Sequence, residues 1–299
     1  MNHPHMTLSN NNISRRAMLS RSAQALVFTA TAGSLAPLLA APAARSYKIG
    51  AVDCCLGKRS DPAAFDVAKE IGLDGVQVDY GAADNMRLPQ AEVQKAFREA
   101  ARRTGLEIPA LFVLELNGVP LKSDPRAEQW LASCIDVCKA MDVPMVMAPC
   151  FGNGELDMSK TAEIDHLVVV LKKLATQAEK QGVIIGFENY LSADDNRRIL
   201  DRVGSPALKV YYDVGNSTDK GRDILKEIRT LGKLICQVHA KDGEHMLGKG
   251  RIDFKEVRKA LDDIAYSGWI VIEAASPNGI VPDYTAHCKY LKDVFSNQS

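Results

Sequence analysis

A single-domain (β/α)8, or TIM, barrel is the fold this sequence predicts, and three observations predict it. From residue 47 onward, eight short, almost wholly apolar β-rich runs follow one another. An amphipathic helical stretch follows each of them. The unit repeats about every thirty residues, the size of one strand–helix unit. Strands covered on both faces read as continuous apolar runs, and eight such units in roughly 250 residues close into a barrel. The competing arrangement is an open doubly wound sheet. It carries a glycine-rich phosphate turn after its first strand, whereas here that turn reads DCCLGKRSD, with one glycine. No dinucleotide fingerprint or P-loop pattern occurs elsewhere.

In chain order the strands are YKIGAVDCC (47–55), GVQVDYG (75–81), IPALFVLEL (108–116), PMVMAPCFG (144–152), VIIGFENY (183–190), LKVYYDVG (208–215), LICQVHAKD (234–242) and WIVIEAA (269–275). Four helices, PAAFDVAKEIG, LPQAEVQKAFREAARRTG, RAEQWLASCIDVCKAMD and EIDHLVVVLKKLATQAEKQG, repeat apolar residues at three- and four-residue spacing. NRRILDRVG, DILKEIRTLG, FKEVRKALDDIAYSG and YTAHCKYLKDVF complete the set. Gly72, Gly105, Gly182, Gly204, Gly232 and Gly268 close several of them, where a helix cap favours a residue tolerant of positive φ.

Residues 1–43 read as a separate export signal of the twin-arginine type, leaving 44–299 as the barrel domain. A polar start leads to Arg15-Arg16, then to an apolar stretch diluted by Gly33, Ser34 and Pro37, then to Ala41-Pro42-Ala43, an A-x-A cleavage pattern. The dilution argues against a spanning segment. A periplasmic or secreted bacterial location, with no membrane insertion once the signal is cleaved, is the expectation. The chain balances 37 basic against 37 acidic residues, and this segment holds three of the arginines. The barrel body is therefore mildly acidic, which excludes a nucleic-acid footprint. The seven cysteines cannot all pair internally, and no CxxC supports a structural zinc site. Most of them read as small buried hydrophobes.

Barrel sites form at the C-terminal ends of the strands. Strand five ends on Glu188 and strand six on Asp213; strand seven ends on His239 and strand eight on Glu273. One such residue alone is commonly an ordinary hydrogen-bond or salt-bridge partner. Four in succession at one end bring three carboxylates and an imidazole together. The carboxylates would raise one another's pKa, and a divalent cation resolves that conflict. Oxygen-rich ligation with one histidine suits Mn²⁺ or Mg²⁺, with Co²⁺ and Zn²⁺ as alternatives.

The runs FEN, YYDVGN, VHAKD, GKGRIDF and GWIVIEAA resemble the sugar phosphate isomerase/epimerase superfamily, the xylose isomerase-like barrels, over essentially all of residues 47–297. The resemblance implies that Glu188, Asp213, His239 and Glu273 hold one divalent metal. It further implies that Glu188 and Glu273 transfer protons, in a sugar (ketose or keto-sugar) isomerase or epimerase that works through an enediolate. Asn189 and Asn216 are candidate hydroxyl binders, or simply satisfy loop backbone. Lys241 is a candidate substrate contact, and Asp242 could orient a ligand, or either is a surface ion pair; Glu115 and Asp79 face the opposite half of the mouth as further candidate substrate contacts. Tyr80, Phe112 and Tyr190 could wall the site, and His166 and His287 read as structural. In ketohexose epimerases of this family a His lies three residues after the Asp ligand, a Glu six after the first Glu, and an Arg six after the His. The corresponding residues here are Asn216, Asp194 and His245. These departures weigh against a free ketohexose and leave the metal set intact.

The endonuclease IV type, on the same barrel, needs several more histidines and a less acidic body. A sugar dehydratase shares the first proton abstraction and is the nearest enzymatic alternative. A non-catalytic periplasmic sugar-binding protein is the alternative from another class. The expected partner is a small sugar, and a homo-oligomer is compatible with the sequence.

Overall fold

The computed structural model describes residues 47–296; the signal reading of residues 1–43 lies outside the described residues. Eight parallel strands close into one barrel in sequence order, with the eighth pairing back on the first. They are β1 (Tyr47–Val52), β2 (Gly75–Asp79), β3 (Leu111–Phe112), β4 (Met145–Cys150), β5 (Ile184–Asn189), β6 (Leu208–Asp213), β7 (Ile235–Ala240) and β8 (Gly268–Ile272). The helices between and after them are α1 (Ala64–Ile71), α2 (Ala91–Thr104), α3 (Pro125–Met141), α4 (Thr161–Gln181), α5 (Ala193–Val203), α6 (Val214–Asp219), α7 (Ile224–Leu231), α8 (Phe254–Asp263) and α9 (Ile280–Phe295).

Burial separates the apolar residues into two layers. The larger lies between strands and helices and includes Phe65, Phe97, Leu131, Leu171, Phe187 and Tyr284. The smaller fills the barrel itself with Val52, Ala110, Phe112, Met145, Met147, Tyr211 and Val271. Two glutamines share that inner space: Gln77 accepts from the Tyr211 hydroxyl at 2.6 Å, and Gln237 is fully buried. The lumen is a packed core rather than a channel, as small barrels require. Substrate access is therefore confined to the rim.

Three expectations change in detail. β3 pairs over only two residues, because the chain turns into a 3-10 helix at Leu114–Asn117. β1 stops at Val52, and Asp53–Leu56 form a second 3-10 turn. The short α6 was not foreseen; it starts where the Asp213 carboxylate accepts from Asn216 N. Gly72, Gly105, Gly182 and Gly204 do cap helices in the left-handed region. Gly268 instead opens β8, and Ala265 (φ 57°) takes the positive-φ turn after α8. Among the described residues no helix is long and apolar enough to cross a membrane.

Candidate metal centre and active site

The four residues singled out at the strand ends converge. One ligand-capable atom from each of Glu188, Asp213, His239 and Glu273 lies within 4.8 Å of all the others. His239 Nδ1 is 2.7 Å from Glu188 Oε1, 3.5 Å from Glu273 Oε2 and 4.0 Å from Asp213 Oδ2. The strand period explains this. Gln237 and His239 share the face of β7 that points into the barrel, while Val238 and Ala240 face the helices. Register then sets Asp213 directly beside His239. Tyr211 packs against the imidazole, ring centroids 4.4 Å apart, so the ring is held from below by an aromatic wall.

Glu188, Asp213 and His239 are almost wholly buried, whereas the Glu273 side chain is 34% exposed. Glu273 follows β8 and is the acid that faces the mouth. Asp213 divides its two oxygens. Oδ1 accepts from Asn216 N at 2.9 Å and caps α6, while Oδ2 is buried with no hydrogen-bond partner. Lys241 Nζ lies 3.3 Å from Glu273 Oε2 and 4.0 Å from Asp213 Oδ2.

These charges act strongly on one another. Burial, then Glu273 and Glu188, push the Asp213 carboxyl up to about 7. Burial also raises Glu188, opposed by the neighbouring imidazole. Burial disfavours a charged His239, but Glu188, Glu273 and Asp213 outweigh it and lift the imidazole to about 9. For Lys241, burial again opposes the charge, and the same three carboxylates raise its pKa above the ordinary lysine value. A buried carboxylate oxygen with no partner is costly. The Asp213 Oδ2 atom and the O₃N donor set fit a hard or borderline divalent ion.

The supporting residues divide differently. The Asn189 side chain braces the turn after β5, donating to Asn196 Oδ1 at 2.9 Å and accepting from Leu191 N at 2.8 Å. Asn216 is buried and contributes its backbone N–H to the cap of α6. Asp194 is exposed in the first turn of α5, and His245 is exposed in the loop after β7. Asp242 is fully buried and accepts from Arg251 N at 3.2 Å and Ile252 N at 3.1 Å. It therefore fixes the GKGRID loop. Gly250 permits this close approach, since a Cβ there would lie 2.3 Å from Asp242 Oδ2. Tyr80 points away and donates to Ser133 Oγ at 2.7 Å. Phe112 packs in the lumen, and Tyr190 stacks near Phe151 with Lys220 over its ring at 4.3 Å.

Sequence reasoning placed Asp79 and Glu115 on the facing side of the mouth but missed Arg59 and Asp53, which join them into a network. Arg59 reaches from the turn after β1 to the Asp79 carboxylate, to Glu115 Oε1 at 2.8 Å and to Gly81 O at 3.4 Å. It thereby straps the ends of three strands. Beneath it Asp53 is fully buried and accepts from Ser60 N at 2.9 Å and Asp79 N at 3.0 Å. Its other oxygen is buried without a partner. Burial pushes the Asp53 carboxyl up to about 8, against the pull of those two N–H groups and with the Asp79 charge adding to the rise. Asp53 and Arg59 both lie in the DCCLGKRSD turn, but nothing in that run links them to Asp79 and Glu115, 20 and 56 residues beyond Arg59.

A closed eight-stranded α/β barrel with a carboxylate–imidazole cluster on its last four strands defines the class. The chain belongs to the xylose isomerase-like TIM barrel family, whose model matches residues 65–294. A 2-epi-5-epi-valiolone 7-phosphate 2-epimerase of Actinoplanes sp. is 28% identical over 189 residues, covering 62% of this chain and 68% of that protein. A D-psicose 3-epimerase of Enterocloster bolteae is 21% identical over 226 residues, 70% of this chain and 75% of the relative. In structure, the D-psicose 3-epimerase of Clostridium cellulolyticum H10, solved with D-tagatose, superposes with a TM-score of 0.71 at 18% identity. That likeness covers 83% of this chain and 99% of the other.

Proposed function

We propose that this protein is a divalent-metal-dependent sugar isomerase or epimerase, acting on a ketose or keto-sugar by proton transfer beside a carbonyl. The observation that carries the reading is the convergence of four ligand atoms from β5–β8 within 4.8 Å, one of them a buried carboxylate oxygen without a partner. Glu188, Asp213, His239 and Glu273 would hold the ion, with Mn²⁺ or Mg²⁺ best matched to the oxygen-rich set. When bound, the ion supplies the positive charge that acidifies a C–H next to a carbonyl.

The chain's own residues account for the rest. Glu188 and Glu273 stand at the two ends of the four-strand arc, so a sugar seated between them meets a carboxylate on each side. One removes the proton from the carbon between carbonyl and hydroxyl. The other returns a proton to the opposite face and inverts the centre; return to the neighbouring carbon exchanges ketose for aldose. Asp213 and His239 hold position. Lys241 Nζ, 3.3 Å from Glu273 Oε2, pairs with that carboxylate. The packed lumen below confines the reaction to the mouth. The names of the relatives, both epimerases, agree with this chemistry. The twin-arginine-type leader adds the proposal that it takes place outside the cytoplasm.

The test is metal analysis of the purified protein, then incubation with a panel of ketoses and 3-keto sugars in deuterated water, followed by proton NMR. Deuterium entering beside the carbonyl, lost in Glu188→Gln and Glu273→Gln, supports the reading. Saturable sugar binding with no exchange in any member would leave a binding protein instead. A product lacking one water would mark a dehydratase.

A further inference from the structure

Helix α9 turns three consecutive-face polar side chains inward, and all three end on loop backbone. Asp283, Tyr284 and His287 are at most 4% exposed. Asp283 accepts from Asn278 N at 2.7 Å and Asn278 Nδ2 at 3.1 Å. The Tyr284 hydroxyl accepts from Ala274 N at 3.3 Å and donates to Ala274 O at 3.0 Å. His287 uses both nitrogens: Nδ1 accepts from Leu247 N at 3.3 Å, and Nε2–H donates to Ala275 O at 3.0 Å. That pattern fixes the neutral Nε2–H tautomer. Burial agrees with it, holding the imidazole below its ordinary value.

The recipients are the loops that carry the site. Ala274 and Ala275 follow Glu273 directly, and Leu247 lies in the loop that leaves β7 through Lys241. Glu273 is the one candidate ligand beyond the end of its strand, where its N–H still donates to Ala240 O at 3.1 Å, and its side chain is partly exposed. One helix turn later Tyr290 packs against Gly248, where φ is +78° and a Cβ would come within 2.5 Å of the ring. So α9 grips both loops at four points.

Resting on the reading above, we propose that α9 is a positioning clamp: His287 and Tyr284 tie the β7 and β8 loops together and so set Glu273 and Lys241 relative to the ion and the sugar. Neither residue touches a reacting atom. The tie is a second support outside the ligand set, of the kind whose loss costs 10–100-fold in metal sites.

The experiment compares His287→Leu, His287→Gln and Tyr284→Phe with the parent. Three readouts are taken: amide hydrogen exchange of segments 243–248 and 273–279, calorimetric Mn²⁺ titration, and kcat and KM on whichever ketose the parent turns over. His287→Leu is expected to raise exchange in both segments together, weaken Mn²⁺ about tenfold and lower kcat about ten- to a hundredfold with KM little changed. His287→Gln, whose amide can still donate to Ala275 O, recovers part of each loss. Tyr284→Phe, which keeps the ring packing, loosens 273–279 and spares 243–248. A slowly exchanging imidazole N–H in the nitrogen-15 spectrum of the parent reports the fixed tautomer. Unchanged exchange, Mn²⁺ affinity and kcat in His287→Leu would overturn the clamp. If the parent turns over no sugar, the proposed function falls, while exchange and Mn²⁺ titration still decide this inference.

Discussion

At the scale of single residues, charge environment separates the groups that act from those that only support. Glu273→Gln retains size and hydrogen bonding but loses the base, so kcat should drop by about 10²–10⁴-fold with the fold intact by circular dichroism. A drop of less than tenfold would remove Glu273 from proton transfer. Asp53 gives a pH prediction. Its folded value, about 8, stands above the ordinary carboxylate value of about 3.9. Between those values the folded chain keeps a proton that the unfolded chain has lost, so this group's contribution to stability is full below about pH 4 and falls as pH rises towards 8. Asp53→Asn removes that loss, and its Tm relative to the parent should climb between pH 5 and pH 8. A difference independent of pH would show that Asp53 is ionised in the fold. Arg59→Ala strands the buried Asp79 carboxylate. Because the Arg59 side chain is 36% exposed, the cost is discounted to roughly 1–3 kcal/mol, about 2–10 °C in Tm. Legibility divides the same way. Glu188, Asp213, His239 and Glu273 could be read because each interrupts an apolar run at its end. Arg59 could not, because its partners lie 20 and 56 residues away and no periodicity links an arginine in a turn to carboxylates on two other strands.

At the scale of elements, turns decide where the side chains point. The exit of β5 is braced by Asn196, which is 4% exposed and donates to Leu191 O at 3.2 Å and Ser192 O at 3.1 Å while accepting from Asn189. Asn196→Ala takes the side-chain partner from Leu191 O and from the Asn189 amide, while Ser192 O keeps the backbone N–H of residue 196 at 2.9 Å; the loss of about 1–3 kcal/mol is one that thermal unfolding would detect. An unchanged Tm would mean that the turn is held by packing alone. The strands and eight of the helices were legible from hydrophobic period. The shortness of β3 and the presence of α6 were not, for a shared reason. In both places a polar group overrides the period: Asn117, whose side chain holds Phe151 N at 2.9 Å beside the turn that ends β3, and Asp213, whose carboxylate starts α6. Neither hydrogen bond, one across 34 residues and one across 3, carries a repeat.

At the scale of the whole molecule, an ion that binds only the folded barrel must stabilise it. Mn²⁺ at one hundred times its Kd should add about 2.7 kcal/mol and raise Tm by several degrees, and a chelator should reverse the shift. Asp213→Asn should abolish the response while leaving the chelated Tm close to that of the parent. An equal shift in that variant would place the ion elsewhere. The unequal division of the mouth has a further consequence. Every candidate ligand comes from the second half of the chain, after residue 183, and the Arg59 strap comes wholly from the first. The two parts are therefore separable by exchange. A chimera that keeps β5 to α9 and receives the rim turns of β1–β3 from a relative would keep all four candidate ligands and replace only the strap.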